Sequence, residues 1–214
     1  MAKVRDIISL AMDSVQDSSF ESRMLGLAGR AVGFVAGMVR LPALTVVDSP
    51  LVVAAGAKTA SMPDDYNRDL LLAYQDGRRL NLFPESFITF RRLRPNYLTA
   101  TGSQVTDLAV QGKTLYLYPA PTPGATLHLT YQGNPPAIEP GTEIDDIIPA
   151  PFGSDLVEYY LCRECFSRIE DGIEGRKVNT DYYNGQFLQS FAALEAHIGT
   201  RDSEPQTIMD ECGL

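Results

Sequence analysis

The sequence contains no tryptophan, and only two histidines and three cysteines occur among its 214 residues. Three cysteines are too few for the disulfide framework of a small secreted protein. Sugar-binding sites depend on exposed aromatic rings, so the lack of tryptophan argues against a carbohydrate-active or carbohydrate-binding protein. A carbohydrate-active or carbohydrate-binding protein nevertheless remains an alternative function, and its binding site would lie in the β-rich part of the chain.

Catalytic and metal-binding motifs are also scarce. Cys162 and Cys165 form a CxxC pair inside a helical pattern, whereas a redox pair lies at the start of a helix. Zinc needs four ligands, and Cys212, His128 and His197 are the remaining Cys and His candidates. We interpret the pair as small buried apolar side chains. Because the sequence also has no nucleophile elbow or phosphate-binding glycine loop, we expect no enzyme activity, cofactor or metal.

The sequence has fewer basic than acidic residues and no long uninterrupted apolar run. The chain has 18 basic and 27 acidic residues, a net charge of −9, whereas tight sequence-independent DNA binding needs clustered Lys and Arg. The longest apolar region, residues 24–39, is interrupted by Arg30 and is too short to span a bilayer comfortably. Residues 1–15 lack the uncharged apolar core of a signal peptide. We expect a soluble, intracellular protein without membrane contact.

The charge that is present is unevenly distributed. Residues 68–94 contain six arginines and three acidic residues, whereas residues 137–214 contain sixteen acidic and five basic ones. The arginine-rich stretch could meet DNA or an acidic partner, and the overall acidity favours a protein partner. The candidate interface residues in this stretch are Arg78, Arg79, Arg91, Arg92 and Arg94.

Helical periodicity dominates the first 44 residues. Apolar residues recur every three or four positions over residues 4–15, which predicts an amphipathic helix. A second helix is predicted to start near Ser18, with Glu21 completing a capping box, and to end at residues 41–42.

Three glycines lie four residues apart in the second predicted helix: Gly29, Gly33 and Gly37. Each glycine costs a helix about 1 kcal/mol relative to alanine, so such a ridge indicates the close approach of another helix. Two alternatives are open, namely packing within a helical bundle and a subunit interface in an oligomer.

Helical periodicity returns after residue 151. Ser154 is the expected N-cap of one helix, and a final helix is expected to stop at Gly199. The polar segment 200–214 is predicted to be an extended tail that docks on a partner. Its candidate contact residues are Glu204, Pro205, Ile208, Met209 and Leu214.

The middle of the chain has β-strand character. Residues 70–74 and 78–82 flank an Asp-Gly dipeptide and predict a hairpin, and a short helix is expected over 84–93. Residues 114–136, TLYLYPAPTPGATLHLTYQGNPP, predict a second hairpin whose two strands each place one face in a core. The prolines between its strands lack N–H donors, so the connection is not expected to extend a sheet edge.

These patterns predict an α+β fold. The N- and C-terminal helices, residues 1–44 and 149–199, are expected to form a discontinuous helical bundle. Residues 45–148 would be an inserted antiparallel β-rich module, similar to a sandwich or barrel, and residues 200–214 an extended C-terminal tail.

The order of these features resembles the head-to-tail adaptor (connector) proteins of tailed bacteriophages. The resemblance covers roughly residues 55–198, and Met62 stands where the family pattern has leucine. The matching pieces are SMPDDY at 61–66, the hairpin 70–82, LYLYPAP at 115–121, LHLTY at 127–131, Pro135–Pro136, DDIIP at 145–149 and the two C-terminal helices.

The resemblance implies a virion structural protein of the neck, assembled in the host cytoplasm and without enzymatic activity. Such adaptors form a homo-oligomeric ring, commonly of twelve subunits, between a portal protein and tail or nozzle proteins. The ring extends the channel through which the genomic double-stranded DNA passes without specific binding. A head-closure or tail-terminator protein is the alternative within the same class.

Overall fold

The structure, a computed structural model, describes residues 2–83, 87–171 and 177–202. It divides into a helical unit, Met1–Leu41 with Pro136–Leu214, and a β unit, Pro42–Pro135. The predicted α+β class is confirmed.

The described residues form five α-helices and ten β-strands. The helices are α1 (Val4–Val15), α2 (Glu21–Met38), α3 (Phe87–Leu93), α4 (Phe152–Ile169) and α5 (Val178–Asp202). The strands are β1 (Thr45–Val53), β2 (Thr59–Ser61), β3 (Tyr66–Gln75), β4 (Arg78–Arg79), β5 (Asn81–Phe83), β6 (Thr101–Gly102), β7 (Asp107–Gln111), β8 (Thr114–Tyr118), β9 (Ala120–Pro121) and β10 (Ala125–Gly133). Within these described ranges, none of the helices is long and apolar enough to cross a bilayer.

Helix α4 is the centre of the helical unit, because α1, α2 and α5 all pack against it. Its core side chains Leu156, Val157 and Leu161 are completely buried. The predicted amphipathic helix over residues 4–15 is confirmed as α1. It buries Val4, Ile7, Ala11 and Val15.

The residues that precede α1 are tied to the segment that precedes α4. The amide of Val4 donates to the carbonyl of Thr142 over 3.0 Å, and the amide of Ile144 donates to the carbonyl of Ala2 over 3.1 Å. The amide of Ala2 also donates to the Asp145 carboxylate over 3.2 Å. These bonds join segments about 140 positions apart in the chain and help to fix the start of α1 in the helical unit.

Two predicted N-caps and one predicted helix stop are wrong. A 3₁₀ turn at Ser18–Phe20 precedes α2, and the Asp17 carboxylate accepts from the Ser19 amide over 2.9 Å in place of the expected cap. Helix α4 starts at Phe152, and the Ser154 hydroxyl donates back to the Pro151 carbonyl over 3.3 Å instead of capping. Helix α5 runs through Gly199, because this glycine does not adopt the left-handed backbone of a stop.

The β unit contains two four-stranded sheets, β1-β10-β3-β4 and β2-β8-β7-β5, and a two-stranded pair, β6-β9. Side chains of both larger sheets pack in one core that includes Ala73, Leu108, Leu117 and Leu129. The prediction of an antiparallel module needs two corrections, since β5 pairs with β7 and β6 pairs with β9 in parallel. The described strands form no closed barrel.

The hairpin around the Asp-Gly dipeptide is confirmed. Strands β3 and β4 pair Tyr74 with Arg79 and Gln75 with Arg78. The φ angle is 51° at Asp76 and 76° at Gly77, so both residues have a left-handed backbone. Two successive left-handed residues match the twist of tight hairpins, and glycine adopts this conformation without a Cβ clash.

The second predicted hairpin, over residues 114–136, is wrong. Strand β8 pairs with β2 and β7, whereas β10 pairs with β1 and β3, so the two strands lie in different sheets. The connection between them also forms β9, in which the amide of Ala120 donates to the carbonyl of Ala100 over 3.1 Å. The predicted core faces are confirmed, because Leu115, Leu117, Leu127, Leu129 and Tyr131 are completely buried. Two apolar faces can be buried against each other across two sheets as well as side by side in one.

Gly153, in the first turn of α4, tests how tightly the helical unit is packed. A Cβ at this position would lie 2.6 Å from Cγ2 of Ile144 and 3.0 Å from the carbonyl oxygen of Ile148. We expect Gly153→Ala to lower the free energy of unfolding by about 1–3 kcal/mol in chemical denaturation, because a buried neighbour must move. The control is Gly185→Ala on α5, where a Cβ meets nothing within 4 Å. It should be neutral or stabilise by up to about 1 kcal/mol, and a fully stable Gly153→Ala protein would contradict the packing.

Candidate interaction surfaces

Helix α3 sits on an aromatic cluster in the β unit. Phe90 is completely buried and packs with Tyr97 and Ala109. The ring of Phe90 lies 5.7 Å from that of Phe83 and 5.8 Å from that of Tyr97, both in edge-on geometry. Aromatic pairs of this kind add stability beyond the area they bury, so the short helix has a firm base.

Arg94, directly after α3, is anchored to the fold. Its Nε lies 3.0 Å from Oδ2 of Asp107, a residue that is only 2% exposed. Asp107 also accepts hydrogen bonds from Asn81 over 3.0 Å and from the Thr106 hydroxyl over 2.8 Å. Burial alone would raise the pKa of Asp107, but the hydrogen bonds from Arg94, Asn81 and Thr106 outweigh it and hold the pKa below its ordinary value. Arg94 therefore stabilises the fold through its ion pair with Asp107.

The other four predicted interface arginines point to solvent. Arg78 donates to the Gln104 side chain over 3.3 Å at the exposed hairpin, and Arg79 beside it is exposed. The guanidinium of Arg91 lies over the ring of Phe87 at 5.9 Å and over that of Tyr97 at 5.7 Å. Arg92 is exposed on the same helix. Their charged groups remain accessible to a partner, whereas that of Arg94 is engaged.

Exposed apolar side chains lie on α3 and shortly after it in the chain, as its two arginines do. Ile88 is 78% exposed, and Leu93 and Leu98 are each 49% exposed. We call the group Ile88, Arg91, Arg92, Leu93 and Leu98 the α3 surface. Sequence reasoning missed its apolar members, although the pattern FITFRRL with Phe87 and Phe90 three residues apart already separates a buried face from an exposed one.

The predicted glycine ridge on α2 is only partly in contact with its own chain. A Cβ at Gly29 would lie 4.0 Å from Ile138, an ordinary van der Waals contact. A Cβ at Gly26, Gly33 or Gly37 would meet nothing within 4 Å among the described residues.

Apolar side chains accompany these glycines. Phe34 is 44% exposed and Met38 is 57% exposed. The ring of Phe34 also lies 5.8 Å from that of Phe187 on α5, in edge-on geometry. We call Gly26, Gly33, Phe34, Gly37 and Met38 the α2 face.

The cysteines and histidines do not assemble into a site in the described part of the chain. Burial raises the pKa of Cys162 to about 12 and that of Cys165 to about 11, so both are unreactive thiols near neutral pH. The imidazole of His128 lies 2.7 Å from the carboxylate of exposed Asp48, and the ring of His197 lies 5.3 Å from that of Phe152. No group of three or more potential metal ligands occurs among the described residues.

Of the predicted tail, residues 200–202 belong to α5, whereas residues 203–214 lie outside the described residues. This applies to Glu204, Pro205, Ile208, Met209 and Leu214.

The Arg94–Asp107 pair predicts a pH-dependent stability difference. The Asp107→Asn protein should be less stable than the wild type by roughly 2 kcal/mol at pH 7, because the charged hydrogen bond to Arg94 is lost. The pKa of Asp107 is lowered in the folded state, so its contribution is complete above the unfolded-state pKa and is lost as the pH falls towards the folded value.

Denaturation curves at several pH values test this expectation. The difference between wild type and Asp107→Asn should be largest at pH 7 and should shrink below about pH 4, the ordinary aspartate pKa. The control is Asp64→Asn, because Asp64 is exposed and its carbonyl, not its carboxylate, accepts the hydrogen bonds from Lys113 and Asn134. A difference that is constant with pH would contradict the assignment.

Comparison with known proteins identifies the family. The family model described as SU10 adaptor protein matches residues 2–208, which is nearly the whole chain and includes both units. The search of curated proteins gave no match. The matched range contains α2, α3 and the arginines discussed above, so the resemblance to head-to-tail adaptors is confirmed. The chain belongs to the SU10 adaptor protein family, a family of phage head-to-tail adaptors.

Proposed function

We propose that this protein forms a ring of twelve copies in the virion neck, below a portal protein and above the tail. The ring extends the DNA channel and provides a docking platform for tail or nozzle proteins. Family membership supports a structural head-to-tail adaptor that oligomerises and meets portal and tail proteins. The copy number, the docking partners of each surface, assembly in the host cytoplasm and the absence of enzymatic activity belong to the proposal.

The single observation that favours a subunit contact is the open space beside the glycines of the α2 face. Helix α2 contains four glycines, and each costs a helix interior about 1 kcal/mol relative to alanine. Apart from α2's own backbone and the neighbouring residues, no described atom comes within 4 Å of where a Cβ would lie at Gly26, Gly33 or Gly37, so packing among the described residues does not explain them. Close approach by a neighbouring copy would, and a closed ring needs such a heterologous contact, in which this face meets a different surface of the next copy.

The α3 surface is the proposed docking site for a partner protein. It combines exposed Ile88, Leu93 and Leu98 with the charges of Arg91 and Arg92. Arginine is enriched at protein interfaces, and the buried core of an interface is more apolar than the rest of the surface. The two guanidinium groups attract a partner surface that carries negative charge.

Genomic DNA is proposed to pass the ring without being held. Phosphate contacts from clustered Lys and Arg supply most of the affinity of sequence-independent DNA binding. The chain has 18 basic and 27 acidic residues, and of the six arginines in residues 68–94, Arg94 is engaged by Asp107. The segment that contains Glu204, Pro205, Ile208, Met209 and Leu214 is proposed as a further contact with the portal.

Gly33→Leu tests the subunit contact. A Cβ at this position has open space among the described residues, so folding and thermal stability should be unchanged or slightly improved. Ring formation, measured by the mass of the assembled species alone and with a portal, should fall at least tenfold because the neighbouring copy is displaced. Gly185→Leu on α5 is the matched control, with equally open space, and should assemble normally. Normal assembly of Gly33→Leu would reject the α2 face as the contact.

The α3 surface is tested by charge reversal. Arg91→Glu combined with Arg92→Glu should leave ring formation intact and weaken binding of the isolated ring to its tail-side partner at least tenfold, since two favourable charges become unfavourable. The measurement is the Kd by surface-based binding at physiological salt. Lys58→Glu with Lys113→Glu makes the same change in net charge elsewhere in the β unit and should bind as the wild type does. Equal Kd values for the two double variants would rule out the α3 surface.

A further inference from the structure

Three arginines line one groove on the helical unit. Arg23 and Arg30 come from α2 and Arg168 from the last turn of α4. Phe20, Gly26 and Leu27 form the rest of the lining, and the groove encloses about 490 Å³. Nothing in the sequence indicates this cluster, because Arg168 lies 138 positions after Arg30.

These arginines have no anionic partner among the described residues. None of the three makes an ion pair or a hydrogen bond there, and all three are exposed. The helical unit contains twenty acidic and ten basic residues, so carboxylates are plentiful. Three like charges in one groove repel one another, and this arrangement favours an anionic occupant.

The lining indicates what kind of anion fits. Guanidinium groups bind carboxylates and phosphates in a bidentate manner. The apolar side chains of Phe20 and Leu27 line the same groove. A peptide that contains both carboxylates and apolar side chains matches this mixture better than a bare phosphate does.

Helix α5 runs alongside α2 and ends near its C-terminal end, at the opposite end of α2 from the groove, so residues 203–214 must turn back along α2 to reach it. Glu195, Ile198 and Gly199 of α5 line a cleft together with Met38 and Arg40, at the C-terminal end of α2. The α2 face runs from this end back to the groove. Eleven helical residues separate positions 37 and 26, a distance of about 16 Å.

Residues 203–214 have the length and composition to cover that path. Twelve extended residues reach roughly 40 Å. The segment, SEPQTIMDECGL, contains the carboxylates of Glu204, Asp210 and Glu211, the apolar Ile208 and Met209, and no basic residue. Its charge and its apolar residues both complement the groove.

We propose that residues 203–214 bind along the α2 face of their own chain, with their carboxylates on Arg23, Arg30 and Arg168. The occupant is an acidic peptide segment, and the site is the arginine-lined groove. This inference concerns the single chain and stands whether or not a ring forms. Its consequence, that the segment must leave α2 before a neighbouring copy can approach, rests on the proposed function.

Disulfide trapping in the full-length chain tests the inference, with native Cys212 as one partner. Gly26→Cys supplies the other, in open space within the groove. Cys162 and Cys165 are buried and do not compete. In dilute protein under mild oxidation, Gly26→Cys should form an intramolecular disulfide with Cys212 at least fivefold faster than Gly185→Cys, its control on α5. Non-reducing gels and peptide mass spectra report the bond.

Two further measurements test whether the rate of disulfide trapping depends on the arginine charges. Adding Arg23→Gln, Arg30→Gln and Arg168→Gln to Gly26→Cys should slow the trapping at least fivefold, and so should 1 M salt, which screens exposed ion pairs. Equal rates at positions 26 and 185, or no effect of the arginine substitutions, would overturn the proposal. Disulfides between two chains instead of within one would also overturn it, because they place the segment on a second copy.

Discussion

The burial of α4 between α1, α2 and α5 is the interaction on which the helical unit depends. Each of these helices is only partly apolar, and the N-terminal pair and the C-terminal pair lie far apart in the chain, so α4 is where they meet. Because α2 gives Met24, Ala28, Ala31 and Val35 to this core, its opposite side is left to solvent. The glycines and arginines of α2 stand on the uncovered part, and both proposals about this helix follow from that division.

The β unit repeats the same principle on a smaller scale. Phe90 and Tyr97 pack in the aromatic cluster that holds α3. Arg94, directly after α3, is held by its ion pair with buried Asp107. The helix backbone that carries Arg91 and Arg92 is thereby anchored, and both side chains are exposed. A pre-ordered surface loses less entropy when a partner binds, which suits a platform in an assembly.

Periodic patterns in the sequence predicted the features that depend on local chemistry. The α+β class, helix α1, the Asp-Gly hairpin and the buried faces of residues 115–117 and 127–131 are confirmed. The pairing of β8 and β10 failed, because period-two alternation fixes which face is buried but not which sheet buries it. The cap at Ser154 and the stop at Gly199 failed because neighbouring packing can override a weak local preference. The groove of Arg23, Arg30 and Arg168 could not be predicted, since only the tertiary fold brings α2 and α4 together.

The central claim is that a neighbouring copy packs on the exposed glycines of α2. A cryo-electron microscopy reconstruction of the protein assembled on its portal tests it most directly. The account predicts a closed ring in which the backbone of α2 at Gly33 and Gly37 lies in van der Waals contact with the next copy. A ring in which these glycines face solvent or the DNA channel would contradict it.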